Sequence, residues 1–199
     1  MSTPAASGGT NTAPTPETGG ALSITGIGEA ISAMRRLPDA LEAIVDSLPA
    51  AHLGARPAPD EWSAAEILAH LVTVEAVLTA RVESMLASPG GRSLAVDPPA
   101  ASPSAGRGLV ARWRDARAGT LDRLARLTAD ELGRGAELRR WGYVTVEQQV
   151  CEWAYHDLEH LRQLLAVGEA LLYPAIGGYT ALYAPPFPVG PVEQGAERR

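Results

Sequence analysis

Two histidines stand four residues apart in the segment TVEQQVCEWAYHDLEHLRQLLAV, which covers residues 145–167. On an α-helix, His156 and His160 would lie one turn and about 40° apart, a spacing at which two imidazoles can share one metal ion. Both fall on the apolar face of this segment, in line with Gln149 and Gln163. A polar line through an apolar face is unfavourable unless something satisfies it, and a metal ion with bound water would do so.

A third histidine, His70, borders the apolar face of an earlier helical segment, near Ile67, Val74 and Leu78. If the two segments pack together, three imidazoles converge on one point. Three neutral nitrogens with open coordination positions are typical of a catalytic rather than a structural metal site. The alternative is that these histidines only pack in the core. The fourth histidine, His52, precedes this segment, and we predict that it lies at the surface.

Two further side chains are candidates to support such a site. Gln163 follows His160 by three residues, so it could hydrogen-bond a ligating imidazole or a bound water. Glu152 lies about 40° from His156 around the helix and could reach the same region. Cys151 falls on the other side of the helix, and we predict that it is a small packed residue rather than a nucleophile.

The composition narrows the class of protein. The 199 residues suffice for one domain with a single core, and a formal net charge of −6 argues against a nucleic-acid-binding face. Every basic residue is arginine, so no lysine is available for Schiff-base chemistry. The single cysteine excludes an intramolecular disulfide. Because signal-peptide and membrane-spanning patterns are also missing, we predict a cytoplasmic protein with no nucleic-acid or membrane partner.

Four segments of the chain have apolar residues at the helical spacing of three and four. They cover about residues 27–48, 63–87, 107–127 and 145–167. Ser63 with Glu66, and Thr145 with Gln148, have the pattern of capping boxes that begin the second and fourth segments. Gly168 is a candidate C-cap for the fourth.

We found no segment with the alternation of a β-strand, so we predict an all-α four-helix bundle over residues 23–172. Pro38 predicts either a kink in the first helix or two abutting helices. Residues 1–22 have the composition of a disordered tail, and residues 173–199 form a Pro/Gly-rich C-terminal extension. The loop at 88–106 is long enough to be either mobile or functional.

Two runs of the sequence resemble the DinB-like family of metal-binding four-helix bundles. PDEWSAAEILAHLVTVEAVL matches that family's W-S-x-x-E-x-L-x-H-L pattern at His70. VTVEQQVCEWAYHDLEHLRQL matches its H-x-x-x-H-x-x-Q pattern at His156, His160 and Gln163. The resemblance covers about residues 27–167 and implies an up-down-down-up bundle, a possible homodimer, and a divalent ion (zinc, nickel or iron) on the three histidines.

Some members of this family are transferases or isomerases that use a low-molecular-weight thiol. The resemblance therefore implies a small-molecule substrate and a thiol cosubstrate, mycothiol or a similar compound. Arg81 lies about 20° from His70 around the helix and is a candidate to bind the carboxylates of that thiol. We predict a metal-dependent enzyme that transfers or adds the thiol to an electrophile. Two alternatives stay open: a binding or stress protein with a non-catalytic ion, and a thiol-independent metal hydrolase or isomerase.

Overall fold

The structure, a computed structural model, describes residues 26–92 and 108–187. Within these ranges the body of the molecule is made by α1 (Ile27–Ser47), α2 (Ala64–Ala87), α3 (Gly108–Leu124) and α5 (Val146–Leu172). A short helix, α4 (Ala129–Gly133), and a hairpin of β1 (Gly135–Leu138) and β2 (Gly142–Thr145) precede α5, and 3₁₀ segments cover Ala50–His52 and Tyr173–Ala181. The predicted four-helix bundle is confirmed. None of the described helices is long and apolar enough to cross a bilayer.

Two stretches that the sequence marks as non-helical fall largely outside the described residues. The tail predicted at residues 1–22 lies entirely outside them, as does most of the loop predicted at 88–106. The C-terminal extension is described as far as Phe187, and the side chains of Tyr179 and Tyr183 are exposed there.

The helices that carry the histidines begin where the capping patterns predict. The Ser63 hydroxyl accepts a hydrogen bond from the Glu66 amide at 3.3 Å, and the Glu66 carboxylate accepts one from the Ser63 amide at 2.9 Å. Thr145 and Gln148 make the same reciprocal pair at 3.2 and 3.0 Å. Each pair satisfies two amide groups of the first turn that have no partner within the helix. The starting points of α2 and α5 are therefore fixed by local sequence.

Neither Pro38 nor Gly168 ends a helix in the structure. α1 is one continuous helix that includes Pro38, so the first segment is not two abutting helices, and Pro38 is buried in the core as Leu37 and Leu41 are. α5 continues through Gly168 instead of ending there. A β-carbon on Gly168 would lie 3.6 Å from Leu48 Cδ2, so this glycine marks a close approach of α1 and α5 rather than a helix end.

The directions of the helices follow from pairs of residues that lie side by side. Between α2 and α3, Thr79 lies beside Thr120 and Glu83 beside Arg123. Between α1 and α5, Gly26 lies beside Glu147 and Leu48 beside Gly168. Between α2 and α5, His70 lies beside His156 and Arg81 beside Gln149. The residue numbers rise together in the α2–α3 pairs and in the α1–α5 pairs, so the helices in each of these contacts are parallel. In the α2–α5 pairs one residue number rises as the other falls, so these two helices are antiparallel. The result is the up-down-down-up order, and the parallel α2–α3 pair accounts for the length of the connection between them.

A layer of buried charge divides the core into two apolar halves. One half contains Trp113, and the other contains Trp153. At the boundary α2, α3 and α5 contribute Glu75, Arg117 and Asp157, each at most 2% exposed. The packing of these three helices therefore depends on a polar contact as well as on apolar area.

The hairpin contradicts the expectation that the chain has no strands. β1 and β2 are antiparallel, with Gly135 opposite Thr145 and Leu138 opposite Gly142. Four-residue strands are too short for period-two alternation to stand out in a sequence. Because β2 ends at the N-cap residue of α5, the hairpin leads directly into the helix that carries two of the histidines.

We expect Gly135→Ala to lower the free energy of unfolding by about 1–3 kcal/mol, because of overpacking against the paired strand. The added methyl would lie 2.3 Å from the carbonyl oxygen of Val144. Gly133→Ala is the matched control, since its β-carbon would meet nothing within 4 Å, and it should stay within about 0.5 kcal/mol of the wild type. Urea unfolding followed by circular dichroism compares them, and equal stabilities would contradict the close approach.

Candidate metal centre

The structure brings the three predicted histidines together. His70 Nε2 on α2 lies 3.3 Å from His156 Nε2, and His160 Nε2 lies 3.1 Å from the same atom. His160 is buried, whereas His70 and His156 are half-buried, so the cluster has one side within reach of solvent. His52, by contrast, is exposed, as the sequence predicts.

The spacing of the three nitrogens fits a shared cation. Imidazole nitrogens about 2.0–2.1 Å from one ion are about 2.8–3.4 Å apart at octahedral to tetrahedral angles. The observed separations of 3.1 and 3.3 Å fall in this range. Three ring nitrogens that face one another also bring their lone pairs together, and a single cation would bind all three. The residues present therefore fit a divalent metal ion.

Gln163 orients one of the three rings. Its Oε1 lies 2.8 Å from His160 Nδ1, and because an amide oxygen only accepts, the ring nitrogen must donate. A neutral imidazole with its proton on Nδ1 presents an unprotonated Nε2, which here faces the other two histidines. Gln163 is thus placed where the sequence predicts a supporting residue.

The surroundings keep two of the imidazoles neutral. Burial lowers the pKa of His70 to about 4, and repulsion from the neighbouring His160 and His156 contributes in the same direction. Burial likewise lowers the pKa of His160 to about 4, with His156 again adding to the shift. Metal ions bind neutral imidazole, so both rings are in the ligating form at neutral pH.

Trp62 forms a wall of the cluster, a role that the sequence did not reveal. Its ring lies 4.9 Å from the His70 ring, centroid to centroid, and runs parallel to the His160 ring at 6.0 Å. The residue is 39% exposed, so an apolar surface borders the histidines on the solvent side. The available signal was its position next to Ser63, the cap that fixes the start of α2.

Glu152 and Arg81 belong to a neighbouring group instead of the histidine cluster. The Glu152 carboxylate accepts a hydrogen bond from Gln149 Nε2 at 2.8 Å, and it is not among the atoms that converge with the histidine nitrogens. Arg81 Nη1 donates to Gln149 Oε1 at 3.3 Å. Gln149 thus occupies one oxygen of the Glu152 carboxylate, and a supporting role of Glu152 beside the histidines stays a prediction.

A buried acidic residue stands directly behind the cluster. Asp157, next to His156 in sequence, is 1% exposed and accepts a hydrogen bond from Arg117 at 2.7 Å. Glu159, in contrast, pairs with Arg162 at the surface. The sequence alone did not single out Asp157. One clue was Arg117, which stands at the helical spacing of the buried residues of α3, because a buried arginine needs a carboxylate partner.

The lowered histidine pKa values predict that the metal-free protein loses stability on acidification. In an unfolded chain a histidine titrates near pH 6.5, whereas His70 and His160 titrate near 4 in the fold. Between about pH 4 and pH 6.5 the unfolded state therefore binds more protons than the folded state, and the free energy of unfolding falls as the pH drops through this range. The double variant His70→Gln/His160→Gln should show a smaller slope. Chemical unfolding of chelator-treated protein at several pH values measures it, and equal slopes would contradict the prediction.

Comparison with known proteins places the chain in a family. Residues 33–164 match the sequence model of the DinB superfamily. The structure resembles that of YfiT from Bacillus subtilis, described as a probable metal-dependent hydrolase with an unusual four-helix bundle topology. The two are 17% identical, with a TM-score of 0.65 over 76% of this chain and 91% of YfiT, a likeness of fold alone. No curated protein matches the chain. Since the family match covers more than half of its length, the protein belongs to the DinB superfamily.

Proposed function

We propose that the protein is a metal-dependent enzyme for a small molecule, with one divalent ion held by His70, His156 and His160. The observation that carries this proposal is the convergence of three ring nitrogens: His156 Nε2 lies 3.3 Å from His70 Nε2 and 3.1 Å from His160 Nε2, and one nitrogen from each ring lies within 4.8 Å of the other two. When bound, the ion supplies Lewis acidity and lowers the pKa of a thiol or water. Zinc, nickel and iron all accept imidazole ligands, so availability selects among them.

We further propose that the reaction adds or transfers a low-molecular-weight thiol. The carboxylates close in sequence to the histidines already have other partners: Glu66 has Ser63 and Arg56, Glu152 has Gln149, Asp157 has Arg117, and Glu159 has Arg162. Arg56 lowers the pKa of Glu66 to about 2, which keeps that carboxylate ionised in its cap. A water nucleophile ordinarily requires a general base, whereas a thiol of lowered pKa does not.

The thiol would come from a cosubstrate rather than from the protein. Cys151 is the single cysteine of the chain, and it is half-buried. Burial raises the pKa of its thiol, and the nearby Glu147 carboxylate raises it further. Such a cysteine is a poor nucleophile at neutral pH. A compound such as mycothiol would therefore supply the sulfur.

Arg81 supports a binding site for the anionic part of that cosubstrate. Its Nη1 donates to Gln149, but its Nε is buried without a hydrogen-bond partner. It lies on the same α2–α5 seam as His70, three turns further along α2 and beside the first turn of α5. We propose that this unsatisfied guanidinium binds a carboxylate of the thiol, because charged hydrogen bonds of this kind are among the strongest available.

Hydrolysis is the second candidate reaction. The observation in its favour is the shared fold with YfiT, which is described as a probable metal-dependent hydrolase. In that case water would be the nucleophile, and Arg81 would have no cosubstrate to bind. The two candidates thus differ in whether turnover depends on added thiol.

Metal analysis tests the site itself. Protein purified without a histidine tag and reconstituted separately with zinc, nickel and iron should bind about one ion per chain with at least one of them, as expected for a three-histidine site. His156→Ala should lose most of this metal, whereas His52→Ala, which changes an exposed histidine outside the cluster, should keep it. Sub-stoichiometric binding by the wild type with all three metals would overturn the site.

Thiol-dependent turnover tests the reaction. With several thiols and electrophiles, Arg81→Gln should raise the KM for the thiol by about tenfold, the loss of one charged hydrogen bond, with little change in kcat. Arg123→Gln is the control, since Arg123 pairs with Glu83 at the surface. Turnover without thiol would favour the hydrolase, and full metal occupancy without any turnover would favour a binding protein.

A further inference from the structure

We infer that Asp157 is a positioning residue of the metal centre and accepts a hydrogen bond from Nδ1–H of His156. This inference rests on the proposed metal site. His156 Nδ1 and Asp157 Oδ1 are both buried without a hydrogen-bond partner, and they lie 3.7 Å apart. One atom can donate and the other can accept, and a shift of about 1 Å would bring them to hydrogen-bond distance.

The Asp157 carboxylate is held from its other side. Its Oδ2 accepts a hydrogen bond from Arg117 Nη1 at 2.7 Å. Arg117 is itself fixed by Glu75, through Nε at 3.0 Å and Nη2 at 2.7 Å, and by its position over the Trp113 ring at 4.6 Å from the centroid. Because Arg117 holds Oδ2, the remaining oxygen Oδ1 stays on the side of His156.

The charge of this network also points to a cation in front of His156. Glu75, Arg117 and Asp157 together carry a net charge of −1, and each is at most 2% exposed. Burying an unbalanced charge is strongly unfavourable. A network that only fastened three helices would need neither the extra negative charge nor an unsatisfied oxygen beside a histidine. A divalent ion on the imidazoles would balance the charge.

The proposed contact has a specific chemical effect. A histidine that ligates through Nε2 carries its proton on Nδ1, and an acceptor at Nδ1 fixes both the tautomer and the direction of the ring. Gln163 already provides this acceptor for His160. Asp157 would provide it for His156, so that each ligand on α5 has its own support.

Asp157→Asn is the variant that tests the contact. Arg117 can only donate, so it would retain the amide oxygen and turn the NH₂ group towards His156. Two donors would then face each other, which favours the tautomer with its proton on Nε2 and blocks the metal. We expect zinc affinity, measured by competition with a chelator, to fall about 10- to 100-fold.

The matched control is Glu159→Gln. It removes the same charge next to another ligand, His160, but at the surface, where Glu159 pairs with Arg162. The zinc affinity of this variant should stay within about twofold of the wild type, because exposed ion pairs contribute little. An equal loss in both variants would mean that general electrostatics is responsible, and would overturn the role of Asp157.

Nitrogen-15 NMR of the histidine side chains reports the tautomer of each ring, which would not change if Asp157 had a purely structural role. In metal-free wild type we expect His156 as the Nδ1–H tautomer, and in Asp157→Asn as the Nε2–H tautomer. If the variant does not fold, the wild type alone decides, because an Nε2–H tautomer there would overturn the inference. The tautomer is read without metal, so the result stands apart from any failure of the wild type to bind an ion.

Discussion

The buried guanidinium of Arg117 imposes a constraint on much of the bundle. A charge removed from water needs carboxylate partners with good geometry, and here α2 supplies Glu75 and α5 supplies Asp157. These ion pairs fix the axial register of α2 against α5 to within a hydrogen-bond length. Glu75 lies five residues after His70, and Asp157 is next to His156. The register that satisfies the arginine is therefore the one that brings the histidines face to face.

The bundle contains two polar layers, the charged layer and the layer of three histidines, and the cost of removing their polar groups from water is compensated differently in each. The charged layer is satisfied within the protein by short hydrogen bonds between ionised groups, apart from one oxygen of Asp157. The imidazole layer presents three nitrogens to one another and is satisfied by a cation in our proposal. Apolar halves on either side of the charged layer stabilise the arrangement. Residues that violate local patterning at a functional site are expected to depend on such compensation elsewhere.

The sequence predicted those features of the fold that depend on residues close together in the chain. Helical spacing and the caps at Ser63 and Thr145 gave the starts of α2 and α5, and the same spacing put the histidines on one face. The hairpin was missed because its strands are four residues long. Arg117 was missed because its partners lie about 40 residues away in each direction along the chain, which no window of sequence reveals. The end of α5 was misplaced because Gly168 serves an interhelical contact.

The choice between thiol and water as nucleophile depends on how large a pKa shift the site must supply. A free thiol titrates near pH 8.5, so a nearby cation produces thiolate at neutral pH with a modest shift. Water must be shifted from about 15.7 to about 7, and proton transfer then ordinarily uses a general base. The carboxylates next to the histidines in sequence have partners in the protein: Arg117 binds Oδ2 of Asp157, whose Oδ1 faces the ring of His156, and Gln149 binds Glu152. Our proposal of a thiol nucleophile follows from this difference, because among the described residues the carboxylates beside the histidines are held by other side chains.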